Sequence, residues 1–419
     1  MGTLLRENIF SLFVLQGANY VLPLITVPYL VRVLGPEHFG RIAFAQAFIQ
    51  YFVVLTDYGF NLSATRAVAL VRDDPTKLSR LFSAVMIVKA ALMTIGFGVM
   101  LLIVWVVPGF AQDWPLYILV YLMVVGSVLF PVWLFQGLER MRHITVFTIL
   151  ARTLIVIAIF AFVHNQADYQ LAAALQASGM VVAGLLALAV VPRMARVRLH
   201  WPGVSQLRQV AVDGWHVFLS TAAVSLYTSS NVFILGLLTN PTAVGYFAAA
   251  EKLIKAVQGL VSPVSQAVYP HVASLSARSR DAALAFIGKL LRLQGVATLM
   301  LSLLLFVLAE PAVHLLLGDR FQESVRLVQW MAALPFVIGL SNVFGIQTML
   351  NFDMKQTFSR ILIASGLVNI ALIIPLAHCL GAQGAAISVL LTEIIVTSLM
   401  ALALARGGLL NPITTGQTA

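Results

Sequence analysis

The chain has 419 residues, 60% of them hydrophobic and 10% charged, with a net charge of +10 and a mean hydropathy of +0.94. A soluble domain carries about 25% charged residues, and an apolar surplus this large cannot be hidden in one core, so a soluble fold is excluded and lipid becomes the solvent. The 26 Lys and Arg residues form no contiguous patch interleaved with aromatics, which excludes a nucleic-acid surface.

A hydrocarbon layer of about 30 Å takes about 20 helical residues to cross. Apolar runs of that length predict twelve helical spans, near residues 9–34, 38–60, 81–107, 115–137, 143–163 and 169–191 in the first half. In the second half they fall near 213–238, 242–269, 285–308, 328–350, 359–380 and 382–405. Helices are required because backbone exposed to lipid must satisfy its own hydrogen bonds, and the runs are too long and too evenly apolar for barrel strands. The first run follows Arg6 and continues past Pro23 to Leu34, which does not suit a cleavable leader. Cys379 is the only cysteine, so no internal disulfide can form, and the eight histidines lack ligand spacing, so no metal site is expected.

Basic residues fall in alternate loops. Arg66, Arg72, Lys77 and Arg80 follow span 2, Arg140 and Arg142 follow span 4, and Arg193, Arg196, Arg198 and Arg208 follow span 6. Arg278 and Arg280, then Lys355, continue the series, while the opposite loops are nearly empty of charge except around Asp319 and Arg320. The positive-inside rule therefore predicts cytoplasmic termini on both ends. The long basic connection marks a division into residues 1–192, a linker at 193–212, residues 213–406 and a polar tail at 407–419.

An internal repeat supports that division. Pro36 to Gln46 aligns with Pro241 to Glu251, with Pro36 over Pro241 and Gly40 over Gly245, and each segment opens the second span of its half. Six spans separate the copies, an even number, so both face the same way. The expectation is an all-α integral membrane protein of about twelve transmembrane helices, in two six-helix lobes related by a pseudo-two-fold axis along the membrane normal.

Ionisable groups inside a span are costly and default to functional hypotheses. Glu251, Lys252 and Lys255 in span 8 lie roughly 13–20 Å below the outer surface, close to the midplane. Glu251 and Lys255 are spaced to pair on one helix face, which leaves Lys252 in need of a cavity, a distant carboxylate or an anionic ligand. Glu393 in span 12 has two readings, a structural pairing with Lys89 or a span 8 lysine, or a titrating role with Glu251 in ion coupling. Lys89 and Arg152 stand nearer the cytoplasmic ends, within reach of snorkelling. Arg41 lies at the outer mouth of span 2. Gln16 and Asn19 in span 1, Gln46 and Gln50 in span 2 and Asn231 in span 7 add uncharged polar groups, so spans 1, 2, 7 and 8 are the polar ones. Asp57 and Arg66 flank the inner end of span 2 and suggest an ion pair that closes it or gates it. No phosphate-cradling glycine loop or nucleophilic triad is present, so no enzyme and no cofactor is expected.

Several stretches resemble a known family. Leu34-Gly35-Pro36 through Gly40, Asp57 through Arg66 and Phe135-Gln136-Gly137-Leu138-Glu139-Arg140 are similar to Wzx-type polysaccharide exporters of the multidrug/oligosaccharidyl-lipid/polysaccharide exporter superfamily. So are Tyr269-Pro270-His271-Val272, Leu340 through Gln347 and Gly384 through Glu393. The resemblance implies a bacterial inner-membrane flippase for undecaprenyl-diphosphate-linked oligosaccharide in O-antigen, capsule or exopolysaccharide assembly. It implies alternating access driven by a proton or sodium gradient, with membrane lipids, a polymerase and a chain-length regulator as further partners. Lys252, Lys255 and Arg41 would then attract the diphosphate, with Gln16, Asn19, Gln46, Gln50 and Asn231 beside the sugar. Two other classes compete. A lipid II flippase commonly carries more spans, and an exporter of organic cations would suit an acidic cavity better than two lysines and one glutamate. A membrane enzyme of polysaccharide assembly, such as a polymerase, would be expected to have a larger basic outer loop than 309–327.

Overall fold

The computed structural model describes residues 2–195, 197, 198 and 200–410; the side chains of 2–16 and 18–21 and of a few positions within 216–229 and 262–267 are not included. Gln16 and Asn19 therefore lie outside the described residues. Among the described residues all regular structure is helical, with no strand.

Among the described residues nine helical stretches are long and apolar enough to cross a membrane. The first of them holds two spans. Helix α1 (Gly2–Asp57) is continuous except at Gly35, where φ is 73° and ψ 173°. Its 56 residues would extend about 84 Å unbroken, far more than a bilayer, so the break divides it into spans 1 and 2. Only glycine enters this backbone region freely, and Pro36 restarts the helix where its missing N–H is not needed. Spans 7 and 8 are supplied by α10 (Val204–Leu238) and α11 (Pro241–Gly259), which completes the twelve.

The contacts divide the chain into two compact units, one formed by the chain up to Thr26 with Ile42–Ser229, the other by Val27–Arg41 with the chain from Ser230. The C-terminal part of span 1 and the first turn of span 2 thus pack with the second unit, and α10 as far as Ser229 with the first.

In the first unit, α2 (Phe60–Val71), α3 (Pro75–Val106) and a short α4 (Pro108–Ala111) follow α1. Span 4 is cut into α5 (Trp114–Val120), α6 (Leu122–Leu129) and α7 (Val132–Gly137), with Pro131 at the second cut. Then come α8 (Met141–Phe162) and α9 (Tyr169–Ala195). The core is aromatic: Trp133 and Phe135 are fully buried among Phe60, Phe82, Phe130 and Val68. Small residues let backbones touch, as they do between helices in lipid. A Cβ on Gly126 would meet Met180 at 2.5 Å and one on Gly184 would meet Leu129 at 2.6 Å, so α6 and α9 pack at glycine distance. The basic connection after α9 is not loose at its start. Ser79 and Ser83 of α3 accept hydrogen bonds from the Arg198 and His200 backbone N–H groups at 3.1 and 3.0 Å, and Val197 just before them is buried.

In the second unit, the predicted span 8 bends at Leu260–Val261 into α11 and α12 (Ser262–Arg278), which has proline in its first turn. Next stand α13 (Arg280–Val307), α14 (Ala309–Leu316), α15 (Glu323–Met331) and α16 (Leu334–Asn342), continued by a π-helical stretch Val343–Met349. Finally α17 (Lys355–Leu380) and α18 (Ala382–Arg406) pack closely, with Gly384 against the Leu376 carbonyl and Asn369 donating to Thr392 across the pair at 3.1 Å.

Candidate functional site

The span 8 cluster takes the arrangement its spacing predicts. Glu251 and Lys255 pair at 2.9 Å, with the lysine exposed and the glutamate largely covered. Lys252 sits about 16 Å along α11 from Pro241, a rise of about half a hydrocarbon layer. Among the described residues no carboxylate lies within salt-bridge distance of it. Its Nζ lies instead over the ring of Phe39, 4.8 Å from the centroid. A cation–π contact is worth about 0.5–2 kcal/mol, less than the several kcal/mol needed to dehydrate an ammonium, so Lys252 retains unmet demand for an anion.

Phe39 is the partner that sequence reasoning missed. It is 1% exposed and belongs to the opening turn of span 2, within the repeat. Its ring meets Phe321 edge-on at 6.4 Å, and Phe321 meets Tyr246 at 5.8 Å. Ser324 donates to the Tyr246 carbonyl at 3.0 Å, which ties α15 to the same place. The loop around Asp319 and Arg320, which stood out for its mixed charges, follows a helix anchored here too. Arg32 donates to the carbonyls of His314 and Leu315 at the C-terminal end of α14, where a cation meets the negative end of the helix.

The two copies of the repeat touch each other. A Cβ on Gly40 would overlap the Pro241 carbonyl, with its carbon at 2.8 Å, and lie 2.7 Å from the Gly245 nitrogen. A Cβ on Gly245 would overlap the Pro36 carbonyl, its carbon also at 2.8 Å, and lie 3.2 Å from the Gly40 nitrogen. Each copy presents its glycine to the proline carbonyl of the other, the reciprocity expected of a local two-fold contact. The signal was in the sequence as a shared Pro-x-x-x-Gly, but alignment says nothing about contact.

Other predicted residues are dispersed. Arg41 pairs with Glu37 at 2.8 Å on its own helix. In the first unit Gln46 donates to Gln176 of α9 at 3.3 Å, and Gln50 is half-buried one turn further on. Asn231 is buried on α10, its Oδ1 without a hydrogen-bond partner among the described residues. Glu393 is half-buried on α18.

The predicted Asp57–Arg66 pair does not form. Asp57 pairs with Lys89 at 2.9 Å, and Lys89, 1% exposed, also donates to the Ser127 carbonyl at 2.9 Å. The reason is local. Tyr58 and Gly59 both have positive φ, so a new helix starts at Phe60, and α2 buries Phe60, Ala64 and Val68 while Arg66 stays on its exposed face. Lys89 is thereby also removed from the pairing with Glu393 considered above.

A family model described as "Polysaccharide biosynthesis protein" matches residues 5–276. The chain is 40% identical over 396 residues to a protein of Escherichia coli (strain K12) named "Putative O-antigen transporter", covering 94% of this chain and 95% of the relative. A protein of the same name from Shigella dysenteriae is 31% identical over 396 residues, covering 94% and 99%. Among solved structures, lipid II flippase MurJ in an inward closed conformation superposes with a TM-score of 0.70 at 12% identity, over 98% of this chain and 90% of that one. An inward-facing multidrug resistance MATE family transporter of the MOP superfamily gives 0.67 at 13% identity, over 95% and 96%. At such identities these two establish the fold, and the two-lobe twelve-helix arrangement fits them.

Proposed function

Because the chain belongs to the polysaccharide biosynthesis protein family, we propose that it is a flippase for undecaprenyl-diphosphate-linked oligosaccharide, moving the O-antigen, capsule or exopolysaccharide repeat unit from the cytoplasmic to the periplasmic face of the bacterial inner membrane. The observation that carries the reading is Lys252, a cation near the midplane that faces an aromatic ring and no carboxylate. A diphosphate passing through supplies the charge that the protein withholds, and the charge-assisted contact is strong in a dry setting. In this reading Lys255 and Arg41 add positive potential and are loosened from Glu251 and Glu37 as the substrate arrives. Gln46, Gln50 and Asn231 offer hydrogen bonds to the sugar, together with Gln16 and Asn19.

Glu251 and Glu393 are assigned to coupling with a proton or sodium gradient, and both termini to the cytoplasm. The fold is shared with exporters of other cargo, so it does not choose the substrate; the family and the sign of the midplane charge support this one. An exporter of organic cations would gain nothing from Lys252. The test is polysaccharide assembly in cells that lack the chain and are supplied with Lys252→Ala or Lys252→Arg at matched protein levels. Loss with alanine, partial return with arginine and accumulation of lipid-linked repeat units are expected. Normal polymer with Lys252→Ala would remove Lys252 from the site.

A further inference from the structure

The most deeply buried cation of the first unit has no task in the reading above. Lys89 hydrogen-bonds Asp57 and the Ser127 carbonyl, each at 2.9 Å. Asp57 is the last residue of α1, and the two residues after it both have positive φ, 45° at Tyr58 and 72° at Gly59. A tyrosine stays in the left-handed region only where its surroundings over-determine it. Behind the turn, Lys89 fixes Asp57. In front of it, the Gly214–Phe218 stretch of α10 is seated. The Tyr58 ring stacks on Phe218 with centroids 5.0 Å apart and planes at 14°, and Trp215 lies 6.3 Å away. Gly214 has no room for a side chain, since a Cβ would lie 2.9 Å from the Tyr58 ring and 3.0 Å from its carbonyl oxygen. Gly59 is equally confined, with Val217 Cγ1 at 2.7 Å and the Phe218 nitrogen at 2.8 Å from its would-be Cβ. All of these residues belong to the first unit.

We propose that Lys89 is a positioning residue for transport: through Asp57 it holds the Tyr58–Gly59 turn in the form that seats Gly214–Phe218 of α10, and unseating this contact is a step of the cycle. An ion pair in a dry interior adds little over well-packed apolar side chains. What it adds here is a contact that can open and re-form, because the Asp57 side chain is 29% exposed while that of Lys89 is 2% exposed. The asymmetry also fixes the order of effects. Removing the Asp57 charge strands a fully buried ammonium, whereas removing the Lys89 charge leaves a carboxylate that is already partly exposed.

The test uses the full chain with Cys379→Ser and a reporter Val217→Cys, labelled by a membrane-impermeant maleimide in inside-out vesicles. Asp57→Asn and Lys89→Met are each expected to raise labelling per molecule about tenfold, a shift of about 1.4 kcal/mol, with Asp57→Asn the larger. Lys89→Arg, which keeps the charge, is expected to stay near the parent rate. The double variant Asp57→Asn/Lys89→Met strands no charge, so it is expected to reach parental amounts in the membrane and keep the raised labelling. Parental labelling in the double variant, or its failure to accumulate, overturns the proposal and leaves the pair a folding element. The labelling needs no substrate and is independent of the flippase reading. Surface polysaccharide, which rests on that reading, is expected to fall in step with the labelling.

Discussion

Gly40→Ala and Gly245→Ala give the sharpest perturbation, because the obstacle in each case is backbone. The new methyl would stand 2.8 Å from the carbonyl carbon of Pro241 or Pro36, with the carbonyl oxygen nearer still. Carbon atoms rest about 3.5–4.0 Å apart, so the two segments must separate by about 1 Å, and no side-chain rotation can relieve the overlap. Overpacking of this kind costs about 1–3 kcal/mol, and with rigid partners on both sides the upper figure applies, which disfavours the joined form about a hundredfold. The assay is surface polysaccharide in complemented cells, normalised to the amount of tagged chain in the membrane. Both variants are expected to lose most activity at near-normal amounts, and by similar factors, because the two contacts mirror one another. Gly98→Ala in α3 is the control, since a Cβ there meets nothing within 4 Å. Wild-type polymer from either Gly40→Ala or Gly245→Ala would refute the reciprocal contact, and strongly unequal losses would refute its symmetry.

Phe39→Leu keeps an apolar side chain and removes the π face under Lys252. The loss of about 0.5–2 kcal/mol is expected to lower transport at unchanged chain levels, whereas Phe39→Tyr retains it, and parental activity from Phe39→Leu would reject the role of the ring. Asp74, outside the spans, caps α3 by accepting from the Lys77 and Thr76 backbone N–H groups at 3.1 and 3.0 Å, and it pairs with the Lys77 side chain at 3.3 Å. The Lys77 N–H contributes most to holding its carboxyl below the ordinary value. A depressed carboxyl stabilises fully above its unfolded pKa and loses that contribution as pH falls through the folded one. Melting of the purified chain should therefore show an Asp74→Ala deficit that is flat between about pH 5 and 8 and shrinks below about pH 4; a deficit that grows on acidification would contradict the assignment.

Apolar length and loop charge carried the span count, and Gly35-Pro36 and Asn240-Pro241 carried two of the turns, because each is a local preference written in one or two residues. The internal cuts were harder. Spans 4, 8 and 10 read as unbroken apolar runs, yet each is segmented, and Pro131, Pro263 and Pro335 at or near the cuts were available as signals. The i,i+4 pairing of Glu251 with Lys255 was legible because it lies on one helix. Asp57 with Lys89 was not, since 32 residues separate them and only the left-handed turn at Tyr58 decides that Lys89, and not the nearer Arg66, is within reach. Phe39 beneath Lys252 was hidden for the same reason, although Phe39 lies in one copy of the repeat and Lys252 directly follows the other.

In the flippase reading, fully buried Lys89 and half-buried Lys252 differ in a way that suits only the second to an anionic cargo. Each carries three N–H donors. Lys89 commits two of them, to a carboxylate and a carbonyl, and its charge is neutralised on the spot. An added phosphate there would have to displace Asp57 and meet its repulsion. Lys252 rests on a ring face, which attracts the ammonium without neutralising it, so an arriving phosphate gains the full charge and displaces no carboxylate from it. The ring also belongs to the segment whose glycine, Gly40, is locked against Pro241. A ligand that draws Lys252 off Phe39 therefore acts within one residue of the reciprocal contact. That proximity gives the flippase reading a direct physical route from binding an anion to parting the two copies of the repeat.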